Sequence, residues 1–212
     1  MTTPKKKVLI VGGNGGVGTA LIENLGSQYV CTAPTSNELD LSDFSSVDAY
    51  SLVGFDIIII AAAYNVGAFR GWLFNQSYNQ VNQVLVNHVG PLLLIKNFVR
   101  DNSSGHIIAY TSTNIEDPWP QNLFYTTSKM ALKMGIDILR TSYPSFVFSE
   151  ICLGKTKTKM LEQNYGDTKT DSEIQEMYAT VPHLDANYVA NVTLSCIQEK
   201  STRIVLRPNG ES

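Results

Sequence analysis

Apolar residues along the chain gather into short unbroken runs separated by stretches with a helical period. Val8-Leu9-Ile10-Val11 lies between lysines and glycines and predicts a buried strand. Residues 57–63, Ile57-Ile58-Ile59-Ile60-Ala61-Ala62-Ala63, form a longer run of the kind expected of a strand covered on both faces. Residues 29–32, 106–111, 146–152 and 203–206 complete the strand candidates. Between them, 19–25 reads as a helix stopped by Gly26, and a short helix after Asp43 runs to about Leu52. Residues 78–100 place Val81, Val84, Leu85, His88, Leu92, Ile95 and Val99 on one stripe, with a bend expected at Pro91. Further helices are expected at 123–142, 171–180 and 186–198; the rest of 153–184 is polar and loosely patterned. Strands alternating with helices predict an α/β fold, a doubly wound parallel sheet of about seven strands with helices on both faces. No repeat or linker interrupts residues 1–212, which read as one domain.

Composition narrows the function. Sixteen Lys and Arg against 19 Asp and Glu give a net charge of −3, which argues against a nucleic-acid partner. Cys31, Cys152 and Cys196 are widely spaced, and His88, His106 and His183 form no ligand pattern, so no disulfide framework or metal site is expected. The opening MTTPKKK lacks the apolar core of a signal peptide, and the run at 57–63 is too short to span a membrane. The expectation is a cytoplasmic protein with no membrane partner.

The glycines Gly12, Gly13, Gly15, Gly16 and Gly18 follow a strand and open a helix. Without side chains they allow a tight turn and let a pyrophosphate approach the helix N-terminus, where free N–H groups favour anions. Dinucleotide binding is the better reading than a plain turn. The acid expected some 20 residues on, to hold an adenosine ribose, is missing before Glu38, while Thr35 and Ser36 offer donors to a 2′-phosphate. This favours NADP over NAD.

Tyr125 and Lys129 are four residues apart on a predicted helix and share a face. A nearby cation favours the phenolate, so Lys129 is expected to bring the Tyr125 phenol towards a pKa useful for proton transfer. Ser112, just past a strand, can hold a substrate oxygen. Taken alone, this spacing equally describes a half-buried ring beside a solvated amine.

With these pieces in place the chain resembles the short-chain dehydrogenase/reductase family, a single-domain Rossmann fold. Gly12, Gly16 and Gly18 match its GxxxGxG loop, and Gly12, Gly15 and Gly18 also fit the GxxGxxG of the family's extended branch, with Val17 inside both. Asp40-Leu41 resembles the pair that contacts the adenine. Ala61-Ala62-Ala63 replaces the usual Asn-Asn-Ala-Gly, and Asn87-His88-Val89-Gly90 resembles the Asn-x-x-Gly of the long helix. Ser112 precedes Tyr125 by the family's spacing. Leu153-Gly154-Lys155-Thr156-Lys157-Thr158 resembles Pro-Gly-x-Val-x-Thr, with Leu153 in place of proline.

The resemblance implies that Tyr125 is the general acid/base, that Lys129 lowers its pKa and holds the nicotinamide ribose, and that Ser112 polarises the substrate oxygen. It implies that Asn87 supports a proton relay; a cap on the kink before Pro91 is the plainer role for that residue. Gly154, Thr156 and Thr158 would meet the nicotinamide end, and Thr158 is equally readable as an ordinary loop residue. By analogy a homodimer or homotetramer is expected. Segments 64–77, 113–122 and 155–184 would surround a small-molecule substrate. They carry Tyr64, Phe69, Trp72, Trp119 and Tyr165, with Arg70, Lys155, Lys157 and Lys159 as anion contacts, although the aromatics could instead pack the loops on the body. The expected activity is hydride transfer between NAD(P) and a carbonyl or secondary alcohol. The rival readings are a non-catalytic dinucleotide-binding regulator and a relative of the sugar-nucleotide-modifying extended branch. Such regulators typically lose the tyrosine or lysine, which are both present here.

Overall fold

Six strands run parallel in one sheet, in the order β2-β1-β3-β4-β5-β6. They are β1 (Lys7–Val11), β2 (Val30–Thr32), β3 (Ile57–Ile60), β4 (Gly105–Ser112), β5 (Phe146–Leu153) and β6 (Arg203–Leu206). The computed structural model describes residues 4–65, 79–118, 122–166 and 169–208, and side chains are described for all of these except 79, 80 and 164–166. Six strands among the described residues stand close to the seven expected. The apolar runs are the strands because a parallel sheet covered on both faces has no solvent side to mark with polar residues. All four residues of β3 are buried.

One face carries α1 (Gly16–Leu25) and α8 (Ala186–Glu199), packed over Val8, Ile10, Ile57, Ile59, Ile108 and Ile151. The other carries α2 (Phe44–Ala49), α4 (Gly90–Asp101) and α5 (Leu123–Ser142), packed over Leu9, Val11, Ile58, Ile60, Ile107 and Phe148. Alternate residues of the same strands thus feed two cores. The remaining helices are α3 (Asn79–Val84), α6 (Lys159–Gly166) and α7 (Asp171–Thr180). No helix among the described residues is long and apolar enough to cross a membrane.

Most predicted boundaries fall within a residue or two of the observed ones, and α7 and β6 coincide with them. Three differences matter. The third strand stops at Ile60, so Ala61-Ala62-Ala63 is extended chain beyond the sheet edge. Helix α6 had no clear periodic signal. The long helix is interrupted by a π-helical turn, Leu85–Val89, between α3 and α4. Pro91, at the first turn of α4, has no N–H and its ring crowds the carbonyl four residues back, and the wider turn accommodates both.

The amino end of the sheet holds a buried histidine. His106 is 6% exposed, and its Nε2 donates to the Ser149 hydroxyl at 2.7 Å, which in turn donates to the Ser201 carbonyl. Burial, with Lys200 and Lys6 nearby, pulls its pKa down to about 4. The unfolded chain therefore takes up a proton near pH 6.5 that the folded protein refuses until about pH 4, so stability falls with pH across that window. Urea unfolding at about pH 7 and about pH 4.5 should show a loss of about 2 to 3 kcal/mol from this group. His106→Gln should flatten that slope, and an unchanged slope would mean that other groups carry it.

Candidate active site

The carboxyl edge of the sheet opens into a cleft of about 380 Å³. Its floor lies where the strand order reverses: the chain leaves β1 for β2 on one side and returns to β3 on the other, which parts the loops above. Gly12 takes φ +89°, and a Cβ there would sit 2.5 Å from the Ala62 nitrogen. A Cβ on Gly18 would lie 2.1 Å from the Gly12 carbonyl oxygen. Only glycine fits either position, and the turn is closed by Gly15 N–H donating to the Gly12 carbonyl at 3.0 Å. Gly15 is the N-cap of α1 and gives no side-chain cap, so the first-turn N–H groups of α1 are left for a ligand at the cleft wall formed by Asn14 to Gly18.

The opposite wall carries the proton-transfer candidates. Ser112 ends β4 and is 7% exposed; its hydroxyl accepts from Asn114 N–H at 3.3 Å and stands near Tyr125, which projects from the first turns of α5. Lys129, one turn on, is 2% exposed and donates to the Tyr110 carbonyl at 2.9 Å, with its Nζ 5.9 Å from the centroid of the Tyr125 ring. Ser112, Tyr125 and Lys129 all line the cleft. The electrostatics differ in one respect from the sequence-based expectation. Burial raises the Tyr125 pKa, opposed by the Ser112 hydrogen bond, with buried Cys152 adding to the rise. The same burial lowers Lys129 to about 8, so the amine stays a cation at neutral pH but holds its proton less firmly than in water.

The nicotinamide-end candidates also converge. Ala61 and Ala63 line the cleft from the end of β3, and Gly154, Thr156 and Thr158 from the segment after β5. Thr158 packs on the glycine turn, with its methyl 2.9 Å from where a Gly16 Cβ would be. Other predicted residues do not reach the cleft. Ala62 packs on the core against Gly12. Leu41 is buried, and Asp40 accepts hydrogen bonds from the Ser42 N–H and hydroxyl. Asn87 is fully buried in the π-helical turn, where its amide accepts from Tyr64 N–H at 2.8 Å and donates to the Tyr64 carbonyl at 2.7 Å. It thus pins the chain leaving β3. Thr35 donates its N–H and hydroxyl to one Glu38 oxygen, at 2.8 and 2.9 Å, and these bonds hold the Glu38 carboxyl below its ordinary pKa. Glu38 is thus folded back onto the donors expected to face a 2′-phosphate.

Sequence reasoning passed over four asparagines of the lining: Asn14, Asn65, Asn114 and Asn122. Asn122 is 5% exposed, and its Oδ1, like that of Asn65, is buried with no hydrogen-bond partner among the described residues. Buried acceptors of this kind normally have a partner, so both suit a ligand donor. No periodic signal marks them, because each lies in irregular chain. Of the predicted substrate contacts, Phe69, Arg70, Trp72 and Trp119 lie outside the described residues, as does the side chain of Tyr165. Among the described residues, no group of three or more His, Cys, Asp or Glu is placed to hold a metal ion.

No curated protein matches the chain in sequence. Solved structures share its fold. A small-chain dehydrogenase in complex with NADPH aligns at 20% identity and TM-score 0.84, over 97% of this chain and 98% of that one. An actinorhodin polyketide ketoreductase variant with NADPH aligns at 16% identity and TM-score 0.82, over 99% and 98%. A short chain dehydrogenase/reductase from Burkholderia phymatum in complex with NAD aligns at 17% identity and TM-score 0.78, over 99% and 92%. Residues 36–169, more than half of the sequence, match the pattern that defines the short chain dehydrogenases, and the protein belongs to that family.

Proposed function

We propose that the chain is a single dinucleotide-binding and catalytic unit that moves hydride between NADP, or NAD, and a small carbonyl compound or secondary alcohol. The observation that carries this reading is the meeting of Ser112, Tyr125 and Lys129 with an uncapped, glycine-lined helix start in one cleft. The missing Cβ atoms of the turn and the orphaned Asn65 and Asn122 acceptors fit a large polar ligand. The dinucleotide supplies the hydride. Gly16, Val17 and Gly18 receive its pyrophosphate at the helix N-terminus. Ser112 holds the substrate oxygen. Tyr125 gives that oxygen its proton in reduction and takes it back in oxidation. A phenol whose pKa is raised by burial keeps its proton until transfer, which suits the reductive direction. Lys129 presents its charge to the ring and to the sugar that bridges the cleft. Asn87 acts by fixing Tyr64, and through it the roof beside Ala63.

NADP is the favoured cofactor because Thr35 offers two donors, while solved structures of this fold carry NADPH or NAD. Those donors must first leave Glu38. The apolar residues Met130, Met134 and Ile138 recur every fourth residue along α5 and are exposed, which supports pairing of two copies through this helix.

Tyr125→Phe should lower kcat by about a hundredfold or more, with the dinucleotide Kd nearly unchanged; undiminished turnover would remove Tyr125 from the chemistry. In fluorescence titrations NADPH should bind more tightly than NADH, and Glu38→Gln should widen that gap. A preference for NADH in both proteins would overturn the NADP assignment, and binding of neither would overturn the reading as a whole. Sedimentation should give at least a dimer for the native chain and a shift towards monomer for Met134→Glu; a native monomer would remove the α5 interface.

A further inference from the structure

Asn122 is the N-cap residue of α5, a position where asparagine ordinarily turns its side-chain oxygen onto the first N–H groups of the helix. Here it makes no such bond. The residue is 5% exposed, it lines the cleft, and its Oδ1 is buried with no hydrogen-bond partner among the described residues. Capping therefore does not account for this asparagine. A buried acceptor that forgoes the N–H groups beside it is open to a donor brought in by a ligand of the cleft.

The helix fixes its place relative to the proton-transfer group. Asn122 precedes Tyr125 by three residues and Lys129 follows it by four, so the three share one face, with about 5 to 6 Å between successive Cβ atoms. Helical side chains lean towards the N-terminus of their helix, so the Tyr125 ring tilts over the turn that Asn122 opens. Of the two lining asparagines with an unpartnered acceptor, Asn65 lies on the chain leaving β3, and only Asn122 stands on the same helix as Tyr125. Between Ser112 and Tyr125, the described residues that line the cleft are Thr113, Asn114 and Asn122, all polar and uncharged. The acids of this segment, Glu116 and Asp117, are outside the lining, and Glu116 is paired with Arg203 and Arg207. Thr126, one turn beyond Asn122, also buries a hydroxyl without a partner among the described residues, but it does not line the cleft.

We infer that the substrate is a hydroxy ketone, or a diol in the oxidative direction: its carbonyl oxygen lies at Ser112 and Tyr125, and a hydroxyl one or two carbons away donates to Asn122 Oδ1. The inference rests on the oxidoreductase reading and adds the class of substrate to it. In reduction, hydride from the dinucleotide goes to the carbonyl carbon and the Tyr125 proton to its oxygen. The second hydroxyl keeps its own proton and serves only as a donor. A ligand that fills the cleft without that hydroxyl leaves the acceptor both unbonded and shut away from water, and sites of this kind discriminate against the analogue that lacks the donor.

The test uses the full chain saturated with the reduced form of whichever dinucleotide it binds. Alpha- and beta-hydroxy ketones, hydroxyacetone and acetoin among them, are each compared with their O-methyl ethers, which keep the electron-withdrawing oxygen and lose the donor. At least one hydroxy ketone should exceed its ether in kcat/KM by about tenfold or more. Asn122→Leu should lower that ratio by about tenfold, and Asn122→Asp, which keeps an acceptor in the same place, should retain most of it. Should Asn122→Leu not fold, Asn122→Ala makes the same comparison. Thr126→Val, one turn away, should leave the ratio unchanged. An undiminished ratio in Asn122→Leu would mean that another group reads the hydroxyl, and the inference would be overturned. Weaker dinucleotide binding by that variant at an unchanged ratio would hand the Asn122 acceptor to the cofactor, with the same consequence. Ethers reduced as well as hydroxy ketones would defeat the inference while the oxidoreductase reading stood. Failure to bind any dinucleotide would defeat both.

Discussion

The turn after β1 and the chain leaving β3 touch backbone to backbone, with no room for a methyl group at Gly12. Much of the cleft follows from this contact. It seals the sheet at the point where its strand order reverses, so the loops above diverge and leave a crevice at the carboxyl edge. It also aims the start of α1 into that crevice with its N–H groups uncapped. Asn87 reinforces the arrangement from the other side by holding both polar groups of the Tyr64 backbone. The π-helical turn that carries Asn87 adjoins Pro91, so an irregularity in the long helix and the position of the cleft roof are one feature.

Burial governs the chemistry as much as proximity does. The simple picture of a lysine that lowers a tyrosine pKa treats the two as if only their separation mattered. Within the protein, Lys129 and Tyr125 are both desolvated, and the penalty falls on the charged form of each. The result is a neutral phenol beside an amine that is still a cation at neutral pH. A ligand that brings its own charges and dipoles into the cleft changes that balance, which makes the site's proton affinity depend on what is bound.

A comparable redistribution occurs among the surface charges. The Lys155, Lys157 and Lys159 run looks like one basic stretch, and Thr35 with Ser36 looks like a phosphate seat. In the fold Lys155 and Lys159 line the cleft while Lys157 stands over the Tyr178 ring, and Thr35 is bonded to Glu38. In both cases the backbone path decides the partner: a β-bridge at Thr156 with Leu184 for the lysines, and a tight turn for Glu38.

The sequence by itself determined the layers of the fold. Continuous apolar runs specify strands buried on two faces, and the stripe on Val81 to Val99 specifies a helix. The glycines between Val11 and Thr19 specify a turn that few other residues could make. It also determined that Tyr125 and Lys129 share a helix face, because one turn of helix is local geometry; the packing of α5 on β4 brings Ser112 to them. Only the tertiary structure decided that Asn65 and Asn122 face the cleft without partners among the described residues, that Asn87 clasps Tyr64, and that Lys157 stands over the Tyr178 ring. These depend on contacts between segments far apart in the chain, in irregular stretches with no period to read. Periodicity reports which face of an element is buried, and it says nothing of which distant residue meets that face.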